Sequence, residues 1–534
     1  MSQAGNLTTD VLIVGAGPAG LMMACQLAVH GIPFRIIDKN SSSSVNSGAL
    51  IVQARTLEIF EQMGIAKIAL SQGVIAERIN IIYNGKKISS TGIQNLGGNL
   101  SKFPYLLMLE QSQTEKLLLN FIGERGHTVE REVELQSFSQ QDERVTSKIT
   151  LSDNSEQVIC SKYIIAADGA NSSIRQMLHI PFLGKSYPNP IFIIDCEAES
   201  ELIPGEISFA FSGSSVTGFF PIKGSRWRID SNLPTAYDNR SKLTFEVIEQ
   251  NFKTWTRMNI DFQSQQWFSV TRSSQKQAEN IRSQNCFLIG DSAHVHTPVG
   301  AQGMNTGLQD AFNLGWKMAF VIKQKAAPSI LDSYTSERLG ISKGFARYAD
   351  LAFKVLTSNS KTVKFLRLSF LRLFFTFLFP FISGLKNFRL GFFRSISQIN
   401  LNYRKSILSH HEFGFHFLHH SPCPGDRLPY FDLVDAEKPS SIFEKLNSES
   451  FNLIVLADSL TNELKEIADQ FNLSILLIPN NSSNAGIYTL LGIKKTGYFL
   501  IRPDMYISLI SRNTGLSYLK KFITQIALNA HNNK

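Results

Sequence analysis

Cysteine is scarce in this chain: five residues in 534 (Cys25, Cys160, Cys196, Cys286 and Cys423), scattered and with no paired spacing. That excludes a disulfide framework and a structural zinc site, and it fits a reducing compartment. Long apolar runs are missing too. The longest candidate, Leu373 to Ile382, is ten residues and contains Pro380, whereas a bilayer span needs about 20. Met1 to Asp10 is polar and the first apolar run, Val11 to Val14, is too short for a signal peptide, so a cytoplasmic protein is expected. Internal repeats are absent, and the one biased tract is the turn Ser41 to Ser44. What is present is ordinary folded-protein composition, 43% hydrophobic and 18% charged, in a chain long enough for two or three domains.

The formal charge of +9 is local. Between Leu351 and His411 lie ten basic residues, among them Lys354, Arg367, Arg372, Lys386, Arg389 and Arg394, and no Asp or Glu. Without them the chain carries −1. A nucleic-acid partner argued from overall charge therefore fails. The same stretch holds eleven of the 39 phenylalanines. Two readings stay open: helices that cover the substrate domain, or interfacial helices that lay Phe into a membrane surface and Lys/Arg against anionic lipid. The second implies peripheral contact at the inner face of the membrane.

The start reads as strand, turn, helix, strand: Asp10 to Val14, then Gly15-Ala16-Gly17-Pro18-Ala19-Gly20, Leu21 to Val29 closed by Gly31, and Phe34 to Ile37 ending at Asp38-Lys39. Strand-like segments dominate from about Pro181 to Ser283, as an antiparallel layer inserted into the first domain. Cys286 to Ile289 is a further buried strand, and a helix is expected from Asn305 to Lys323. After the linker Pro422 to Pro429 comes a small α/β unit with strands at Leu453 to Leu456, Ile475 to Ile478, Tyr498 to Pro503 and Ile507 to Ser511. The expected domains are 1–180 with 284–350, the insert 181–283, the basic segment 351–421, and 422–534.

The glycine turn has a mechanism. Gly15 makes the tight turn, Gly17 lets backbone approach a pyrophosphate, Gly20 packs helix on strand, and Asp38 is placed for a ribose. The helix N-terminus attracts the phosphates. This much means a dinucleotide and does not choose between NAD and FAD. Two further motifs follow: Asp168-Gly169-Ala170-Asn171-Ser172-Ser173-Ile174-Arg175 after a strand, and Gly290-Asp291-Ser292-Ala293-His294 leading to Pro298-Val299-Gly300-Ala301-Gln302-Gly303-Met304-Asn305.

In that order and spacing the three motifs resemble the single-component FAD-dependent aromatic hydroxylases, the para-hydroxybenzoate hydroxylase-like group. Phenol, pentachlorophenol and rifampicin monooxygenases, with their C-terminal thioredoxin-like domain, look nearest. The resemblance implies a mixed fold, α/β and α+β: a Rossmann-like FAD-binding domain, an inserted antiparallel-sheet substrate domain, and a thioredoxin-like domain that here has no CxxC. It implies FAD held without a covalent bond by Gly15, Gly17, Pro18, Ala19, Gly20, Asp38, Lys39, Arg55, Gln111, Asp168, Gly290, Asp291, Pro298, Gly303, Met304 and Asn305. Arg55 would reach the FAD phosphates, Gln111 the ribityl chain, and Asp168 would lie near the pyrophosphate. Asp291 would bind ribityl hydroxyls. The turn Pro298, Gly300, Gly303, Met304, Asn305 would face the N1/C2=O edge of the ring, where a helix N-terminus stabilises the reduced anion. Ala301 stands where the family has glycine and would narrow the space for the ring.

The implied reaction takes electrons from NADPH or NADH and oxygen from O₂, and hydroxylates a small aromatic substrate through a flavin C4a-hydroperoxide; the implied assembly is monomer or homodimer. The alternatives are Baeyer–Villiger or epoxidising oxygen insertion on the same scaffold and, from another class, a flavin-containing protein that sequesters aromatic ligands. No metal is expected. His294 and His296 form an HxH pair without a third ligand, and His410, His411, His416, His419 and His420 read as a solvated helix end. No side chain stands out as the base for a phenol.

Overall fold

The computed structural model describes residues 7–43, 48–212, 215–232, 244–297, 300–340, 385–410, 421–434, 439–511 and 516–527, with 374, 382 and 384. The principal elements are, in chain order, β1 (Leu7–Val14), α1 (Pro18–Val29), β2 (Phe34–Asp38), α2 (Ala54–Gln62), β3 (Arg78–Tyr83), α3 (Gln111–Gly123), β4 (Glu156–Ala166), β5 (Phe182–Ser200), β6 (Glu206–Ser212), β7 (Ser215–Pro221) and β8 (Arg226–Asn232). They continue with α4 (Phe245–Thr256), β9 (Ile260–Ala278), β10 (Cys286–Leu288), α5 (Gly303–Ile322), β11 (Asn452–Leu456), α6 (Asn462–Phe471), β12 (Ser474–Ile478), α7 (Ala485–Leu491), β13 (Gly497–Ile501), β14 (Ile507–Ser511) and α8 (Ser517–Ala527). All five cysteines are free.

The first sheet has a parallel centre, β10-β4-β1-β2. Val11 to Val14 are buried because both faces are covered, which explains their unbroken apolar run. Register puts Val14 beside Ala166 and Ile37, and Ala166 beside Leu288. The strands therefore end level, and Gly15, Asp38, Asp168 and Gly290-Asp291 all emerge at one edge. In open parallel sheets this carboxyl edge is where ligands sit. Two helices close over it. In α5, sixteen of its twenty residues are buried, and small residues set its contact with α1: a Cβ on Gly315 would meet Gln26 at 2.5 Å.

The second sheet runs in the order His294–Val295, β9, β5, β8, β7, β6, β3, Lys86–Gly92. It reaches beyond the expected insert 181–283. β3 joins it by parallel pairing with β6, and the pair Lys276↔Val295 adds a strand from beyond β10. Such pairing between distant segments leaves no local pattern to read. One face of this sheet packs Phe192, Ile194, Phe219, Trp227 and Ile229 beneath Ile248 and Phe252 of α4.

A third sheet has the order β12-β11-β13-β14, with β11 and β12 parallel and the other pairs antiparallel. It is joined to the first unit through buried charge. Glu337 accepts from both terminal nitrogens of Arg502 at 2.6 and 2.9 Å, from Lys317 at 2.7 Å and from Ser406 at 2.5 Å. Asp504 takes Arg502 Nε at 2.8 Å, and Asn313 donates to Asp504 at 3.2 Å. Burial would raise the Glu337 carboxyl, but Arg502 and Lys317 outweigh it and hold it well below the usual range. The basic, phenylalanine-rich stretch falls largely outside the described residues; its described end is the helix Lys386–Ile396, with Phe388 and Phe392 exposed. No helix among the described residues is long and apolar enough to cross a membrane.

Removing one partner of a buried ion cluster strands the others. Glu337→Ala is expected to cost about 3–5 kcal/mol in urea unfolding followed by circular dichroism. Glu156→Gln, which breaks the exposed pair with Lys148, is expected to change stability by less than about 1 kcal/mol.

Candidate cofactor and substrate site

The glycine turn behaves as its spacing predicts. Gly15 has φ +103°, and a Cβ there would lie 2.3 Å from Ala167 O; a Cβ on Gly20 would lie 1.9 Å from Gly15 O. Neither position accepts another residue, so strand and helix touch through bare backbone. Gly17 differs: nothing lies within 4 Å of a Cβ on it. It is the N-cap of α1, followed by Pro18 and without a side-chain cap, so Ala19 and Gly20 turn unclaimed N–H groups outward. Asp38 fastens the turn, its carboxylate accepting from Ala16 N at 2.7 Å and from Asn40 N at 2.8 Å. The adjoining Lys39 is exposed.

Asp168 splits its work. One oxygen caps the short helix Ser173–Met177, taking Ser173 Oγ at 3.1 Å and Ile174 N at 3.2 Å. The other is buried and has no hydrogen-bond partner among the described residues. Arg175 ties this turn to the next motif by donating to Ala170 O at 2.8 Å and Ser292 O at 2.9 Å.

Gly290 has φ +60°, and a Cβ there would meet Ala19 at 2.8 Å, so the third motif lies directly on the start of α1. Asp291 keeps open surface although protein surrounds it, the position of a residue on a cleft floor. Burial raises its carboxyl above the ordinary range, and the carboxylate has no hydrogen bond to another described residue. Behind it runs a chain of buried polar groups. His296 Nε2 meets His294 Nδ1 at 3.1 Å, His294 Nε2 meets Asp310 at 2.6 Å, and Arg338 donates to Asp310 at 2.7 Å. Burial would raise Asp310, but His294 and Arg338 bring it down to about 2. The HxH pair is thus a hydrogen-bonded relay with a carboxylate behind it. No metal-binding cluster occurs among the described residues.

The turn before α5 is braced from α2. Gln53 Nε2 donates to Gly300 O at 3.1 Å and to Ala301 O at 3.2 Å. Asn305 accepts from Gln53 N and Thr56 Oγ1 and donates to Ile51 O and Ala301 O, all within 3.0 Å. Its side chain is therefore spent on holding the turn and is not free for a cofactor. Gly303 is open, with nothing within 4 Å of a Cβ, and α5 has no side-chain N-cap. Gly303, Met304 and Asn305 form the first turn, so their backbone N–H groups have no acceptor within the helix. Pro298 lies outside the described residues. Gln111 accepts from Ala49 N at 3.1 Å at the same edge.

Arg55 departs from expectation. It is fully buried, donating to Asp504 O at 2.8 Å, Glu58 at 3.2 Å and Met505 Sδ at 3.2 Å, with its guanidinium 5.3 Å from the centre of the Tyr506 ring. It locks α2 to the third sheet and does not reach phosphates. Sequence reasoning had no signal for this, because Asp504 and Met505 lie about 450 positions away.

The residues fit FAD on two structural grounds: a buried carboxylate oxygen of Asp168 without a partner beside the exposed Asp291, and glycine cradles at Gly17 and Gly303 with room beside bare backbone. The described face of the second sheet opposite α4 looks toward this edge, since Arg228 reaches Gly48 O at 3.5 Å and Arg226 pairs with Glu110 at 2.8 Å.

Ala301 holds φ +52°, left-handed backbone that costs a non-glycine residue about 1–2 kcal/mol. Ala301→Gly is expected to be tolerated within about 1 kcal/mol in thermal melting. Ala301→Val is expected to destabilise by about 2 kcal/mol or more.

Residues 8–349 match the family model described as the FAD binding domain. The 6-methylpretetramide 4-monooxygenase of Streptomyces rimosus is 31% identical over 338 residues, covering 62% of this chain and 59% of that protein. The pentachlorophenol 4-monooxygenase of Sphingobium chlorophenolicum is 29% identical over 363 residues, 66% of this chain and 65% of that protein. The match thus spans about three-fifths of these relatives. The fold is that of the flavin-dependent monooxygenase PieE, crystallised with FAD and substrate, at a TM-score of 0.81, 20% identity, and 98% and 99% coverage of the two chains. With well over half of its length inside the family model and monooxygenases as its relatives, the chain belongs to the FAD-binding domain family.

Proposed function

We propose that the chain is an FAD-dependent monooxygenase that hydroxylates an aromatic substrate, with NADPH or NADH and O₂ as co-substrates. The observation that carries this is the convergence, at one edge of a parallel sheet, of Gly15–Gly20, Asp168 and Asp291 with the open N-terminus of α5. The N-terminus of α1 would hold the pyrophosphate, Asp38 the adenosine ribose and Asp291 the ribityl hydroxyls. The N–H groups of Gly303, Met304 and Asn305 would stabilise negative charge at the ring edge. Bound FAD supplies the acceptance of hydride and the activation of O₂. The chain's own part is to hold that group, to exclude water and to orient the substrate against the second sheet. The names of the relatives support an aromatic substrate.

The third sheet we read as thioredoxin-like, because the order β12-β11-β13-β14 with one parallel pair fits that fold. Cys423 is the last cysteine, so thiol exchange is excluded and docking on α2 and α5 is its role.

The test is a screen of phenols, quinones and polyketides for stimulated NADPH consumption, with products weighed for one added oxygen atom. Oxidation with oxygenated product is expected. Tight binding of aromatics without oxidation would replace this reading with sequestration. Asp291→Ala is expected to lose about 10–100-fold in FAD affinity, since a charged hydrogen bond contributes about 1.5–3 kcal/mol, and to purify nearly colourless. Full FAD occupancy in that variant would contradict the assignment.

A further inference from the structure

Asp230 lies near the end of β8, and strand alternation decides where it points. Trp227 and Ile229 enter the cluster beneath α4, so Arg228 and Asp230 project from the other face, toward the cofactor edge. Arg228 confirms the direction by reaching Gly48 O. Across the strands from Asp230 stand Ile193 on β5 and Gly218 on β7. Gly218 makes room for two perpendicular rings, Phe209 and Phe220, whose centres are 5.8 Å apart; a Cβ on it would strike Phe220 at 2.7 Å. On the Arg228 side stands Trp267, 5.4 Å from the guanidinium. The surroundings suit a flat ring.

The two acids of this face are treated differently. Asp195 receives both arms of Arg228, each at 2.7 Å. Asp230 receives nothing: its Oδ1 is buried without a hydrogen-bond partner among the described residues. One carboxylate oxygen buried without a donor costs stability, and in a half-buried residue on an aromatic-walled face it points to a ligand donor. Burial, with Asp195 adding to it and Arg228 opposing, raises this carboxyl to about 7. The other charges where this face meets α3 are the mutually paired Arg226 and Glu110.

We propose that Asp230 accepts the proton of a hydroxyl group on the aromatic ring that this enzyme oxygenates, which narrows the substrate class to hydroxyarenes. The O–H bond breaks, its electron pair stays on the ring oxygen, and the proton forms a new bond to Asp230 Oδ1. No electrons leave the pair of reactants. The oxyanion pushes density onto the ortho and para carbons, where an electrophilic oxygen must add. This rests on the monooxygenase reading but is tested apart from it.

The experiment uses the FAD-loaded enzyme without reductant. 4-Methylphenol, 2-naphthol and 2-hydroxyanthracene, each beside its methyl ether, are titrated on both sides of pH 7 and followed by the flavin absorbance. Phenols of this kind ionise near pH 10, so a change near 7 belongs to the protein. Above that pH at least one hydroxyarene is expected to bind about tenfold or more tighter than its ether, and the preference should shrink as pH falls. Asp230→Asn should lose the pH dependence and, in turnover, about 100-fold in kcat/KM, while keeping its FAD. The proposal is overturned if no hydroxyarene is preferred to its ether, or if Asp230→Asn keeps the same pH-dependent preference. The wild-type arm decides even if the variant does not fold. Preference without oxygenated product would sink the monooxygenase reading and leave Asp230 in place; product formed with an unchanged pH profile in Asp230→Asn would do the reverse.

Discussion

The geometry of the site is referred to a cluster of charges buried far from solvent. Glu337 gathers Arg502 and Lys317, and Asp504 holds Arg502 from the other side. Charges removed from water are tolerated only when each meets an opposite partner in good geometry, so these elements have one way to fit together. Lys317 and Asn313 belong to α5, whose first turn faces the cofactor edge. Arg55 and Glu58 carry the same restraint into α2, through Asp504 O and through Arg427 at 3.2 Å. From the start of α2, Gln53 and Thr56 grip Asn305 and the turn before α5. A ring edge placed at that turn is thus positioned by residues from both ends of the chain.

What could be read from the sequence were features whose cause is local. The helix after Gly17 and its end at Gly31, the strand into Asp38, and the strands at Leu453 and Ile507 follow from short-range chemistry. So do the tight turn at Gly15 and the helix–strand contact at Gly20, where the Cβ distances restate the reasons for glycine. What escaped is carried by distant pairing. β3 enters the second sheet beside β6, more than a hundred positions later. Arg55 looked like a phosphate ligand because nothing near it in sequence showed Asp504 or Tyr506. Asn305 sits in the expected motif yet acts as a brace, because its partners come from Ile51, Gln53 and Thr56. Asp230 was invisible as a base, since its environment depends on which face of a sheet it occupies.

The second sheet divides two tasks between its faces. Beneath α4 it is plain core, with Phe219, Phe252 and Phe262 meeting edge to face. The opposite face carries Arg228, Asp195 and Asp230, groups that a core would not keep. Core packing on one side gives the strands their rigidity, and the polar side inherits its precision from them.

The three turns of the cofactor edge come from residues 15–20, 168–175 and 290–307, while the charges that lock α2 and α5 arrive only with Arg502 and Asp504. During synthesis the nascent chain therefore carries Glu58 and Glu337 for a long interval before Arg427 and Arg502 leave the ribosome. A chain that stops short of residue 502 would keep its glycine turn and the contact of α5 with α1 at Gly315, but Glu337 and Lys317 would pair without Arg502 and Asp504.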